Sequence, residues 1–165
     1  MGYGSTLWGW RSDGEVVYVA GFDRQYRMYV GSDPLFSYDT WAFAPSKDNG
    51  FAAQVGREIH TTSMGKISDN DGRPFAYQDG IVYVVEGDAI VSYDEVSGAR
   101  KILAGGVAKD SKAALSDDGK TVIYVSKNRD PRVGTDANQL FTVLTSGGSS
   151  KQITFESTGV EQPSF

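Results

Sequence analysis

Ile81-Val82-Tyr83-Val84-Val85 is apolar at every position, and it follows directly on the turn-forming Gln78-Asp79-Gly80. Two other stretches share that arrangement. Ser12-Asp13-Gly14 leads through Glu15 into Val16-Val17-Tyr18-Val19, and Ser116-Asp117-Asp118-Gly119 leads into Lys120-Thr121-Val122-Ile123-Tyr124-Val125. Short runs rich in β-branched and aromatic residues predict strands. Gly supplies the positive φ that a tight turn needs, and Asp can cap the turn through its side chain. Successive side chains of a strand point to opposite faces, so a run apolar at every position must be covered on both sides. Sheets therefore have to stack on sheets.

Each of these strands is followed by another. Tyr26-Arg27-Met28-Tyr29-Val30, Ala89-Ile90-Val91-Ser92-Tyr93 and Gln139-Leu140-Phe141-Thr142-Val143-Leu144 are the second members. A third member follows twice: Asp94 to Gly98 turns into Arg100-Lys101-Ile102-Leu103, and Ser146 to Ser149 turns into Lys151-Gln152-Ile153-Thr154-Phe155. The pattern is an antiparallel meander. A fourth copy opens at Trp41-Ala42-Phe43-Ala44-Pro45 and continues into Phe51-Ala52-Ala53-Gln54-Val55. Gly14, Gly50, Gly80 and Gly119 mark the four copies at spacings of 36, 30 and 39 residues, the scale on which propeller blades repeat. Val107 to Leu115 is Ala- and Lys-rich, but Gly105-Gly106 and the Ser116 turn hold it to two helical turns at most, which makes it a connection between units. The fold class expected is all-β, with antiparallel meander sheets in a propeller-like arrangement of three to four units, forming one domain over residues 1–165.

The last unit carries a family likeness. Ala113-Ala114-Leu115-Ser116-Asp117-Asp118-Gly119-Lys120-Thr121-Val122-Ile123-Tyr124-Val125-Ser126 resembles the opening of the TolB-like, or WD40-like (PD40-type), β-propeller repeat, with Asp117 where that repeat has Pro. Leu140 to Val143 and Lys151 to Phe155 are similar to its later strands, and Gln162-Pro163-Ser164-Phe165 looks like the lead-in to a further repeat. The resemblance implies a propeller, which serves as scaffold, receptor or enzyme appendage alike. Met1-Gly2-Tyr3-Gly4-Ser5-Thr6-Leu7-Trp8-Gly9 also resembles the openings of some phage structural proteins, which implies a virion-associated role.

Composition narrows the partners. The formal net charge is −5, from 16 basic against 21 acidic residues, and no basic run occurs, so nucleic acid is not an expected partner. There are no cysteines, which excludes disulfides and thiolate-ligated metal. The start lacks the basic and apolar segments of a signal peptide, and no run is long enough to insert in a membrane.

Candidate chemistry is sparse. His60 is the only histidine; Glu58 shares its strand face, but an acid–base couple needs more than a lone pair, and a half-exposed strand histidine is the better reading. Asp69-Asn70-Asp71-Gly72 has the flavour of a calcium loop, yet Ile67 stands at the first ligand position and Gln78 where a bidentate Glu is needed, so a turn is expected. Trp8, Trp10 and Trp41 are candidate contact residues, either packed at an interface or stacking on a glycan. Arg129, Asp130, Arg132 and Asp136 lie in a long polar stretch between firm strands, where recognition loops are commonly carried. No cofactor, metal or catalytic residue is expected. The reading is a non-enzymatic structural or interaction module inside a larger assembly, with protein partners or self-association. A glycan- or small-ligand-binding propeller is the first alternative, and the propeller portion of a carbohydrate-processing enzyme or peptidase is the second.

Overall fold

The computed structural model describes the backbone of residues 3–10, 16–22, 25–30, 33–36, 40–46, 50–108, 111–127 and 137–155, and side chains from Ala42 onward. The described residues form strands, turns and bends, with no helix among them, and so none long and apolar enough to cross a membrane. The strands group into four antiparallel sheets, each a four-stranded meander in chain order. Sheet 1 holds β1 (Tyr3–Trp10), β2 (Val16–Phe22), β3 (Gln25–Val30) and β4 (Asp33–Phe36). Sheet 2 holds β5 (Thr40–Pro45), β6 (Phe51–Val55), β7 (Glu58–Thr61) and β8 (Gly65–Ser68). Sheet 3 holds β9 (Gly72–Gln78), β10 (Ile81–Glu86), β11 (Ala89–Asp94) and β12 (Arg100–Gly105). Sheet 4 holds β13 (Ala113–Leu115), β14 (Thr121–Lys127), β15 (Asn138–Leu144) and β16 (Lys151–Gln152). This is the all-β, propeller-like repeat expected, with four units.

The doubly apolar strand explains the stacking. Along β10, Val82 and Val84 join Ala44, Ala52, Ile59, Val91 and Tyr93 in a core between sheets 2 and 3. The alternate residues Tyr83 and Val85 join Val122, Tyr124, Phe141 and Val143 in a second core between sheets 3 and 4. One strand thus feeds two cores through its two parities, and all four of these residues are buried. The hairpin before it is built as the sequence dictates. Gln78 pairs with Ile81 across a two-residue loop, and both loop residues take positive φ, 52° at Asp79 and 74° at Gly80. That is the backbone of a type I′ turn, for which Asp-Gly is a preferred pair. The equivalent turn before β14 uses side chains instead: Asp118 accepts from Ser116 Oγ and the Lys120 N–H, and Ser116 Oγ accepts from the Thr121 N–H. The first turn of this kind, at residues 12–14, lies outside the described residues.

Two expectations need correction. Val107 to Leu115 has no helical turn among its described residues: Val107 bridges to Ser126, and Ala113–Leu115 is itself the first strand of sheet 4. Pairing with Val122 to Tyr124 fixes this segment as strand despite its alanines. Each unit also has four strands rather than three, because a further strand, β1, β5, β9 or β13, opens each sheet. Pro34, Pro45 and Pro74 lie in β4, β5 and β9. Each of those strands is at the rim of its sheet, where a missing N–H breaks no ladder bond.

Candidate functional site

Strand β9 touches both β5 and β13, so the first strands of sheets 2, 3 and 4 converge. Among the described residues, two clefts open along that convergence. The larger, about 310 Å³, is lined chiefly by Phe43 of β5, by Arg73, Pro74 and Phe75 of β9, and by Ser111 and Lys112 on the approach to β13. The second, about 260 Å³, lies between Pro45, Phe75, Tyr77 and Gln78 and the strand end at Leu115 to Asp117. Phe75 borders both. It is the extra residue of a bulge, since Ala76 pairs with Tyr83 while Pro74 pairs with Val84. The first strands of sheets 1 and 2 carry bulges too. Leu7 pairs with Tyr18 and Gly9 with Val17, which leaves Trp8 extra; Thr40 pairs with Val55 and Ala42 with Gln54, which leaves Trp41 extra. Every one of these three first strands therefore places an aromatic residue at its bulge.

Trp8 and Trp10 belong to β1 and Trp41 to β5, on first strands of adjacent sheets. Arg129, Asp130, Arg132 and Asp136 lie outside the described residues. Chain reading did not reveal the cleft residues Phe43, Arg73, Phe75 and Lys112. The available signal was an aromatic in three of the four segments that precede a Gly-marked turn.

The polar groups that suggested chemistry are engaged in structure. His60 Nε2 stands 2.8 Å from Glu58 Oε2, on the same face of β7. Lys66 of β8 donates to that same carboxylate at 3.3 Å and to Asp69 at 2.9 Å. Hydrogen bonds from His60 and then Lys66 hold the Glu58 carboxyl below its ordinary value. The histidine is half-buried in a strand, as expected, and its carboxylate is shared with a lysine. The Asp69-Asn70-Asp71 stretch is a connector from sheet 2 to sheet 3. Asp69 pairs with Lys66, Asn70 donates to the Tyr93 hydroxyl at 2.8 Å, and Asp71 accepts from the buried Gln54. Among the described residues no group of three or more acidic or histidine side chains could hold a metal.

Of two further clusters, one ties sheet 2 to sheet 3 and the other lies within sheet 3. Glu95, in the β11–β12 turn, accepts hydrogen bonds from Tyr77 at 2.6 Å and from Ser63 of the β7–β8 turn at 2.5 Å. Burial pushes the Glu95 carboxyl up, but the bonds from Ser63, Tyr77 and Thr61 outweigh it and leave the group below its ordinary 4.5. Glu86 follows the same logic: burial raises it, while Arg100 and Tyr93 prevail and lower it. A carboxyl depressed by folding contributes stability that is fully present above its unfolded value and disappears as pH falls through the folded one. The joint between sheets 2 and 3 is therefore expected to weaken below about pH 4.5. Melting curves recorded from pH 6 to pH 3 should show a shallower acid limb for Glu95→Gln than for the wild type. Parallel limbs would mean that Glu95 is not coupled to folding.

Neither a family model nor a curated protein matches the chain. Solved structures do. A protein assigned as TolB from Agrobacterium tumefaciens superposes with a TM-score of 0.65 at 18% identity, over 92% of this chain and 62% of that one. TolB from Acinetobacter baumannii superposes with a TM-score of 0.64 at 17% identity, over 92% of this chain and 44% of that one. The chain spans less than two thirds of either structure. The fold is that of a TolB-like propeller, as the resemblance of the last unit implied. The phage likeness of residues 1–9 finds no support in these comparisons.

Proposed function

We infer that the chain, on its TolB-like propeller frame, is a single-domain, non-enzymatic interaction module that works within a larger protein assembly. The observation that carries this reading is the outward face of sheet 4. Phe141 and Val143 point into the core shared with sheet 3, so the alternate residues Leu140 and Leu144 occupy the other face. Ile153 lies opposite Leu140, to which its N–H donates at 2.8 Å, and so shares that face. Leu144 is 54% exposed, Ile153 41%, and Phe155 a little further along 51%. Apolar side chains grouped in this way on a sheet surface mark a contact site. One face of this sheet already packs against another sheet; the second buries Ile123 and Val125 at its centre and leaves a margin at Leu144, Ile153 and Phe155 for a protein partner. Among the described residues, the carboxylates near the first strands are held in structural hydrogen bonds, as Glu95 and Glu86 are, which gives the enzyme alternative no support there.

Light scattering on the purified chain, with and without its co-purifying protein, tests the reading. The wild type should show a mass above that of one chain, by self-association or with a defined partner, and Leu144→Glu with Ile153→Glu should return it to a single chain. A wild type that stays a lone chain at all concentrations, with no stoichiometric partner, would overturn it.

A further inference from the structure

We propose that Lys101 is a latch through which sheet 3 sets the shape of the apolar margin on sheet 4, and so a positioning residue for the partner contact made there. This rests on the margin being the contact surface, and it assigns what holds that surface in shape. Lys101 lies on the face of sheet 3 that packs on sheet 4: it pairs with Ser92, which pairs in turn with the core residue Tyr83. From there its ammonium donates to two backbone carbonyls of the β15–β16 turn, Thr145 O at 3.2 Å and Ser146 O at 2.6 Å. Those two residues directly follow Leu144, one of the exposed residues of the margin. A side chain of one sheet thus closes on the main chain of the next.

The turn needs such a hold. Gly147 and Gly148 stand in it at φ 100° and 124°, a region open to glycine, and glycine loses more freedom on ordering than any other residue. The strand that the turn delivers is short. Strand β16 pairs with β15 through Lys151 and Gln152, and the Ile153 N–H adds a bond to Leu140 O. The placement of Ile153, and of Phe155 beyond it, therefore depends on the course of the turn. On its near side the turn is anchored within sheet 4, where Thr145 donates through its N–H to Lys120 O and through its hydroxyl to Gly119 O, both at 2.9 Å. Lys101 carries the hold one residue further, to Ser146. Its stem runs past Gly147, where an added Cβ would stand 3.5 Å from Lys101 Cε and Nζ. A hydrogen bond from a charged donor is stronger than a neutral one. Loss of the ammonium frees the Gly-Gly stretch, and with it the spacing of Leu144 and Ile153, while the apolar core between the two sheets stays closed.

Two variants of the full chain test this: Lys101→Met keeps the stem and removes the donors, and Lys101→Arg keeps a cationic donor. Hydrogen exchange is read at the Gly147 amide, which donates to Leu144 O at 2.9 Å. It should run at least about threefold faster in Lys101→Met, the effect of charge-assisted bonds discounted for an exposed side chain. The association constant for the chain with itself or its partner, from light scattering against concentration, should fall by a like factor. Lys101→Arg should stay within about twofold of the wild type on both measures. Melting of both variants should match the wild type, because Lys101 is exposed. Four results would each overturn the proposal: unchanged exchange at Gly147, faster exchange with undiminished association, an Arg variant as defective as the Met variant, or a lower melting point with exchange raised evenly over all sheets. A wild type that stays a lone chain with no stoichiometric partner sinks the assembly reading and the latch with it, whereas wild-type association indifferent to Lys101→Met sinks the latch alone.

Discussion

Phe141→Ala should lower the free energy of unfolding by about 3–5 kcal/mol, the usual cost of emptying a buried aromatic site. Phe141 is 1% exposed and stacks on Tyr124 with ring centroids 5.8 Å apart. Together with Val122 and Val143 it supplies the sheet 4 side of a core whose other side is Tyr83, Val85, Ile90 and Leu103 of sheet 3. Truncation leaves a void between two sheets whose backbones are pinned by their own ladders, so little collapse can fill it. Urea unfolding followed by circular dichroism is the measurement, with Thr142→Ala as its companion. Thr142 is the next residue along β15, half-buried on the opposite face, and its truncation should change stability far less. A Phe141→Ala cost below about 1 kcal/mol would deny that sheets 3 and 4 are joined by a packed core.

Val84→Asp is expected to leave almost no folded protein. Val84 is fully buried between sheets 2 and 3, where a Cβ placed at Gly72 would come within 3.2 Å of its Cγ2. That packing has no room for water. An unpaired carboxylate there costs several kcal/mol even after its proton affinity adjusts, against a total stability of about 5–15 kcal/mol for an ordinary domain. The same exchange at Val96, 76% exposed in the β11–β12 turn of the same sheet, is the control and should be nearly silent. The comparison reads as soluble yield and as the strand signal in circular dichroism. A Val84→Asp variant that folds as well as Val96→Asp would remove the central premise of stacked sheets.

The parts of this architecture written plainly in the chain are its inner strands. Ile81 to Val85 and Thr121 to Val125 have two neighbours and two covered faces, so their composition is forced toward β-branched and aromatic residues. The first strands escape that pressure. Strand β9 pairs on one side only, which lets Gly72, Arg73 and Pro74 open it and hides it from a pattern search. Strand β13 is Ala113-Ala114-Leu115, a sequence that favours helix until Val122 to Tyr124 pair with it. The copy opening at Trp41 was readable as a strand pair, while β7 and β8, four residues each, were too short to register beyond the face shared by Glu58 and His60. The cleft was not readable. Phe43, Phe75 and Lys112 are about thirty residues apart along the chain and meet only because whole sheets stack, which no local motif encodes.

The prolines at the sheet rims have a bearing on how this protein behaves at high concentration. Pro45 and Pro74 interrupt the outer hydrogen-bonding rows of β5 and β9, so another polypeptide cannot zip onto those rows as an added ribbon. Growth into fibrils by backbone templating is obstructed there by covalent structure, independently of how well the core holds. Whatever settles on this part of the molecule must be recognised by its side groups, and that favours selective, reversible capture over indiscriminate sticking.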